Sequence, residues 1–132
     1  GTTQLQVVAA IRYISNGTYL TIIKEMLEKE VAEELQPLKA RVEEMVKLYE
    51  QALEYVKEAQ DQEMHDFLAR RLYNITAEII MSLLILEDAT RSAELFAKSA
   101  NVYVRMAQAD VIGDHAYIMN FVKEDLPSFR AE

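Results

Sequence analysis

Hydrophobic residues recur along this chain every three or four positions, the spacing that lines one face of an α-helix. The clearest stripe is Leu38, Val42, Met45, Tyr49, Ala52, Val56 and Ala59, with Glu43, Glu44, Lys47, Glu50, Glu54 and Lys57 on the polar side. Alternating steps of four and three over three heptads make it an a/d seam. Before it, Thr18 is placed to cap a helix carrying Leu20, Ile23, Leu27, Val31 and Leu35, which Gln36-Pro37 interrupts. After it, Asp61 is the expected cap of a third helix through Met64, Leu68, Leu72, Ile75, Ile79 and Leu83. From Ile75 to Leu86 that helix is apolar nearly all round, so every face of it is expected to be covered. Residues 88–92 read as a short loop, with Ser92 capping a fourth helix and Glu94 in its first turn. That helix is expected to turn Leu95, Ser99, Val102, Met106, Ala109 and Tyr117 toward the core. Its small residues Ala97, Ser99, Ala100, Ala107 and Ala109 suit close approach to a neighbour.

At the ends the pattern weakens. Residues 2–15, with Leu5, Val8, Ala9, Ile11 and Arg12, fit a helix poorly and leave a strand open, and Asn16-Gly17 is a turn dipeptide. Gly113 is a candidate end or bend of the fourth helix, and Pro127 limits the chain beyond Leu126 to a short terminal turn. Four long helices with short connections predict an all-α fold, an up-and-down four-helix bundle with an N-terminal extension and a short C-terminal tail. No linker or repeat divides residues 1–132, so a single domain is expected.

Composition narrows the function more than it names it. The chain holds no cysteine, which removes disulfides and thiolate chemistry and suits a reducing cytoplasm. A net charge of −8 disfavours nucleic acid and anionic membranes as partners, and Arg70-Arg71 is the sole adjacent basic pair. The run from Ile75 to Leu86 falls short of the roughly 18–20 apolar residues a membrane span needs.

Candidate chemistry is sparse. A di-iron bundle needs Glu-x-x-His on two helices, but Gln62 precedes His65 by three and Ile112 precedes His115 by three. Asp61 with His65, and Asp110, Asp114 and His115, read as solvated helix ends rather than ligand sets. No Gly-x-Ser-x-Gly elbow occurs, and neither histidine has a serine partner. Asn16-Gly17-Thr18 and Asn74-Ile75-Thr76 match the glycosylation pattern by chance. Glu78 is the unusual residue: a carboxylate among Ile75, Ala77, Ile79, Ile80 and Met81 is expensive to bury unpaired. The expectation is a bond to Arg71, Arg105 or a tyrosine, or an exposed strip. The sharper alternative, a general base, has no matching acid or pocket. The seven tyrosines and six methionines are read as core and rim packing. No catalytic, cofactor-binding or metal-binding residue is assigned.

The stretch FLARRLYNITAEIIMSLLILEDATRSAELFAKSANVYVRMAQADVIG resembles the helical module appended after the catalytic body in a long subgroup of acyl-CoA dehydrogenases. The likeness extends over residues 18–125 and rests on the order of the helices: an acidic heptad helix, an apolar third helix, and Lys98-Ser99-Ala100-Asn101-Val102-Tyr103-Val104-Arg105-Met106 on the fourth. The resemblance implies an FAD-dependent oxidoreductase of fatty acid metabolism as the intact enzyme. There a glutamate removes the α-proton of an acyl-CoA thioester and the flavin takes the β-hydride. Those groups belong to the upstream body; the Arg-x-x-Glu-Gly-Thr type of segment does not occur here, and no glutamate of this chain inherits the role. A leading Gly1 without methionine is what tag removal leaves, while Phe129-Arg130-Ala131-Glu132 reads as a natural end. The expectation is therefore a non-catalytic C-terminal domain that packs on the catalytic body of the same polypeptide or supports a homo-oligomer, in the cytoplasm. The alternative is a free-standing helical module that binds a partner helix through an exposed apolar face.

Overall fold

The structure, a computed structural model, describes residues 18–130. Helix α1 spans Thr18–Leu27, α2 Gln36–Ala59, α3 Gln62–Arg91 and α4 Ala93–Met119, with short 3-10 turns at Glu33–Leu35 and Lys123–Phe129. No strand occurs among the described residues. The three long helices pack on one another pairwise, and α1 lies against α3. This is the expected all-α bundle, with a shorter first helix. The helix from Thr18 stops at Leu27, although Val31 and Leu35 continue its spacing. The chain turns there instead, and Ala32 N–H donates to Thr90 Oγ1 at 3.2 Å. The weak pattern in residues 2–15 and the Asn16-Gly17 turn lie outside the described residues.

The stripe on α2 forms the core as its spacing predicts. Leu38, Val42, Met45, Tyr49, Ala52 and Val56 are buried, joined by Val46 and Leu53, while Ala59 is exposed in the last turn. Pro37 sits in the first turn of α2, where its missing N–H leaves no acceptor unpaired. The helix ends at Gln60, whose φ of 50° and ψ of 36° form a left-handed cap. Asp61 then caps α3 as expected, its Oδ1 accepting from Met64 N–H at 2.9 Å.

Three expectations about α3 and α4 need correction. First, residues 88–91 are helical, and Ser92 alone separates α3 from α4. The polar residues that suggested a loop are satisfied within the helix. Thr90 Oγ1 donates back to Leu86 O at 2.8 Å, Ala89 is fully buried, and Arg91 pairs with Asp88 at 3.1 Å. Ser92 forms the junction without a side-chain capping bond. Second, α3 touches all three other helices, yet Met81 and Leu84 remain 51% and 42% exposed, so one face of it is open. Third, the inner face of α4 is Ala100, Val104, Ala107, Val111 and Ile118, not the stripe expected from spacing. Leu95, Val102 and Met106 are 72%, 66% and 53% exposed, Ser99 and Ala109 are exposed, and Tyr117 is half-buried. The helix is apolar on two nearly opposite sides, so periodicity fits either register. Close packing against α2 and α3 selects the side with Ala100 and Ala107, where small side chains admit neighbouring backbones. Gly113 does not end α4, which runs on to Met119.

At the far end the chain folds back in the short turn that Pro127 predicts. Leu126 is buried, and Phe121 stacks with Phe67 at 5.0 Å between ring centroids. Phe129 also lies 5.0 Å from Phe67, and Tyr55 donates its hydroxyl to Phe121 O. Arg130 grips Glu63 in a bidentate pair.

Candidate functional site

Charged side chains meet along the groove between α3 and α4, a depression of about 480 Å³. Helical spacing places Arg71, Asn74, Ala77 and Glu78 on one wall and Ala109, Asp110, Gly113, Asp114 and Tyr117 on the other. Arg71 Nη1 donates to Asp114 Oδ1 at 3.0 Å, and its guanidinium lies 3.6 Å from the Tyr117 ring centroid. Tyr103 donates its hydroxyl to Glu78 Oε2 at 3.2 Å. Glu78 thus takes the tyrosine among its three expected partners, and Arg71 goes to Asp114.

The electrostatics are set by this arrangement. Desolvation raises the Glu78 carboxyl above its ordinary value; the Tyr103 hydrogen bond opposes the rise, and Asp110 and Asp114 add to it. Burial likewise raises Asp114, against the pull of Arg71. The Tyr103 hydroxyl is pushed up to about 12 by burial and by the Glu78 charge. A hydroxyl so reluctant to ionise serves as a hydrogen-bond donor at neutral pH. Glu78 accepts a proton more readily than an ordinary carboxylate, but its hydrogen-bond partner among the described residues is that phenol.

The residues weighed as ligands are held apart or otherwise engaged. Asp61 is occupied as a helix cap, His65 Nδ1 stands 3.6 Å from Asp66 Oδ1, and His115 Nε2 lies 3.0 Å from Gln51 Oε1. Burial lowers the pKa of His115. Among the described residues no group of three or more His, Cys, Asp or Glu side chains is placed to hold a metal ion. In the second glycosylation pattern Thr76 is buried and donates to Tyr73 O at 2.6 Å, so the motif lies along a packed helix. Asn16 and Gly17 lie outside the described residues. No described helix is long and apolar enough to cross a membrane.

The groove and the helix order can be set against known proteins. The family model described as acyl-CoA dehydrogenase C terminal matches residues 15–126. The chain belongs to this family. The match spans the whole of the described bundle and covers the stretch from 18 to 125 on which the sequence resemblance rests. A crystal structure of an acyl-CoA dehydrogenase family protein from Porphyromonas gingivalis has 38% sequence identity to this member and superposes with a TM-score of 0.81. The alignment covers 86% of this chain and 98% of that one, so the solved relative is of similar size. None of the curated proteins matches the chain. What sequence reasoning missed in this family member is the Arg71–Asp114–Tyr117 cluster. Tyr117 belongs to the stripe expected from spacing, and the structure sets it on the groove wall beside Asp114, which that stripe does not include.

Proposed function

We propose that this chain is a non-catalytic C-terminal domain of an FAD-dependent acyl-CoA dehydrogenase, packing on the catalytic body or supporting oligomerisation of the enzyme. The family match over residues 15–126 carries the reading. Residues 1–132 act in it as one helical-bundle domain of a larger cytoplasmic oxidoreductase of fatty acid metabolism.

The side chains of the α3–α4 groove do not suit the flavin. Its pyrophosphate needs positive charge or free backbone N–H groups. The α3–α4 groove offers Glu78, Asp110 and Asp114 against Arg71 alone, and that guanidinium is already held by Asp114 and Tyr117. Flavin and acyl-CoA chemistry are therefore assigned to the upstream body, and no proton or hydride step passes through this domain. Its contribution is a rigid, largely helical surface. The test is deletion: the intact enzyme is compared with one ending before Thr18. The reading expects a flavin-loaded truncated body with altered assembly or lowered thermal stability. Unchanged assembly and stability in the truncated enzyme would refute it.

A further inference from the structure

We infer that the outward face of α4 is a homodimer contact, on which a second copy of this chain packs antiparallel. The inference deepens the oligomer-supporting role proposed above and rests on it. Leu95, Ser99, Val102, Met106, Ala109 and Gly113 succeed one another by alternating steps of four and three, and none carries a charge. The spacing is that of a coiled-coil seam, yet all six side-chain positions are exposed. Tyr103 lies opposite Glu78 and Asp114 opposite Arg71, so α3 runs antiparallel to α4. That pairing sets the exposed Met81 and Leu84 level with the first half of the stripe and widens the face.

Gly113 is the independent clue. A glycine inside a helix costs about 1 kcal/mol relative to alanine. Among the described residues a Cβ here would meet nothing within 4 Å, so their packing does not require its absence. Gly113 lies on the stripe at the wall of the α3–α4 groove, with Arg71, Glu78, Asp110 and Asp114 around it, and its missing side chain leaves room there for a large one from outside. The stripe itself supplies one. When two copies of α4 pack antiparallel about a two-fold axis near Val104, Leu95 falls opposite Gly113, Ser99 opposite Ala109, and Val102 opposite Met106. Large side chains meet small ones at the ends and medium ones meet at the centre, so one patch complements itself, as an isologous interface requires.

The area is sufficient. Leu95 to Gly113 spans about 27 Å of helix, and two helices about 9 Å apart make a face roughly 20 Å wide. Two such faces bury on the order of 1,000 Å² in total, about the lower bound for a specific interface. Each copy carries −8, so the contact is expected to strengthen as salt screens the repulsion.

Sedimentation velocity over a range of concentrations reads the association, and the absence of native cysteine permits a clean cross-link. The expected results are a monomer–dimer equilibrium, and its loss in Leu95→Asp and in Gly113→Leu, with the dilute monomer of each melting no lower than the parent. The Leu95→Cys/Gly113→Cys double variant should form a disulfide-linked dimer, and neither single variant should do so. A chain that stays monomeric at high concentration and high salt overturns the inference. So does a dimer indifferent to Leu95→Asp, or a Leu95→Cys single variant that cross-links as well as the double. If Leu95→Asp instead breaks contact with the body in the intact enzyme while the isolated chain is monomeric, the face belongs to the body. That outcome defeats the second-copy occupant and leaves the domain reading intact.

Discussion

Val102 and Val104 lie two residues apart on α4, and truncating each to alanine separates the two faces of that helix. Val104 is fully buried among the packed helices, whereas Val102 is 66% exposed. Removing two methyl groups from a packed site forfeits their transfer free energy and leaves a small cavity, together about 2 kcal/mol. The same change on the surface alters stability by about 0.5 kcal/mol or less. For a domain of this length each 1 kcal/mol moves the melting temperature by roughly 3–5 °C. Val104→Ala is therefore expected to melt about 6–10 °C lower, and Val102→Ala within a degree or two of the parent. The assay is thermal unfolding followed by circular dichroism on a dilute sample, where contacts between copies do not contribute. A larger loss for Val102→Ala, or equal losses for both, would show that the inner face of α4 has been assigned to the wrong side.

Other substitutions test the bundle at separate points. Met45→Asp puts a carboxylate at a fully buried position of the apolar core and is expected to unfold the domain, visible as loss of helical signal at room temperature. Asp61→Ala removes the capping bond to Met64 N–H and should cost about 1 kcal/mol in denaturant unfolding. Tyr49 is fully buried and its hydroxyl has no partner among the described residues, so Tyr49→Phe should stabilise by about 1 kcal/mol; a loss would reveal an ordered partner for the phenol. Glu78 has a folded-state pKa raised above its ordinary value, so the folded state holds its proton more tightly than the unfolded chain. Stability from this group is present below the ordinary carboxylate pKa and is lost as pH rises through the raised folded value. Glu78→Gln, which retains an acceptor for Tyr103, should gain stability at neutral pH and none in acid; a gain of equal size at both pH values would contradict the shift.

How much was legible in the sequence depended on how many faces each helix had to bury. On α2 a single apolar stripe opposes a charged side, and spacing alone named its core from Leu38 to Val56. On α4 two apolar stripes compete, and the one with larger side chains, Leu95, Val102 and Met106, is the one left outside. Nothing local to α4 distinguishes them, because the choice is made by how closely α2 and α3 approach Ala100 and Ala107. The mismatch over residues 88–91 has a similar origin. Asp88, Thr90 and Arg91 are loop-prone by type, but their polar groups find partners in the helix itself and on Lys29-bonded Glu87 and Ala32 nearby. The candidate site was half visible: Glu78 stood out as a carboxylate in an apolar run, and a tyrosine was among its expected partners. The joining of Arg71 to Asp114 depended on the α4 register and could not be read before that was known.

The central claim is the proposal that flavin and acyl-CoA chemistry lies outside this chain. The direct measurement is a pair of flavin and turnover assays, on the intact acyl-CoA dehydrogenase and on this chain alone, with acyl-CoA as substrate and an artificial electron acceptor. The account predicts flavin absorbance and acyl-CoA oxidation in the intact enzyme and neither in the isolated bundle. Flavin retained by the isolated chain, or acyl-CoA oxidised by it, would contradict the account.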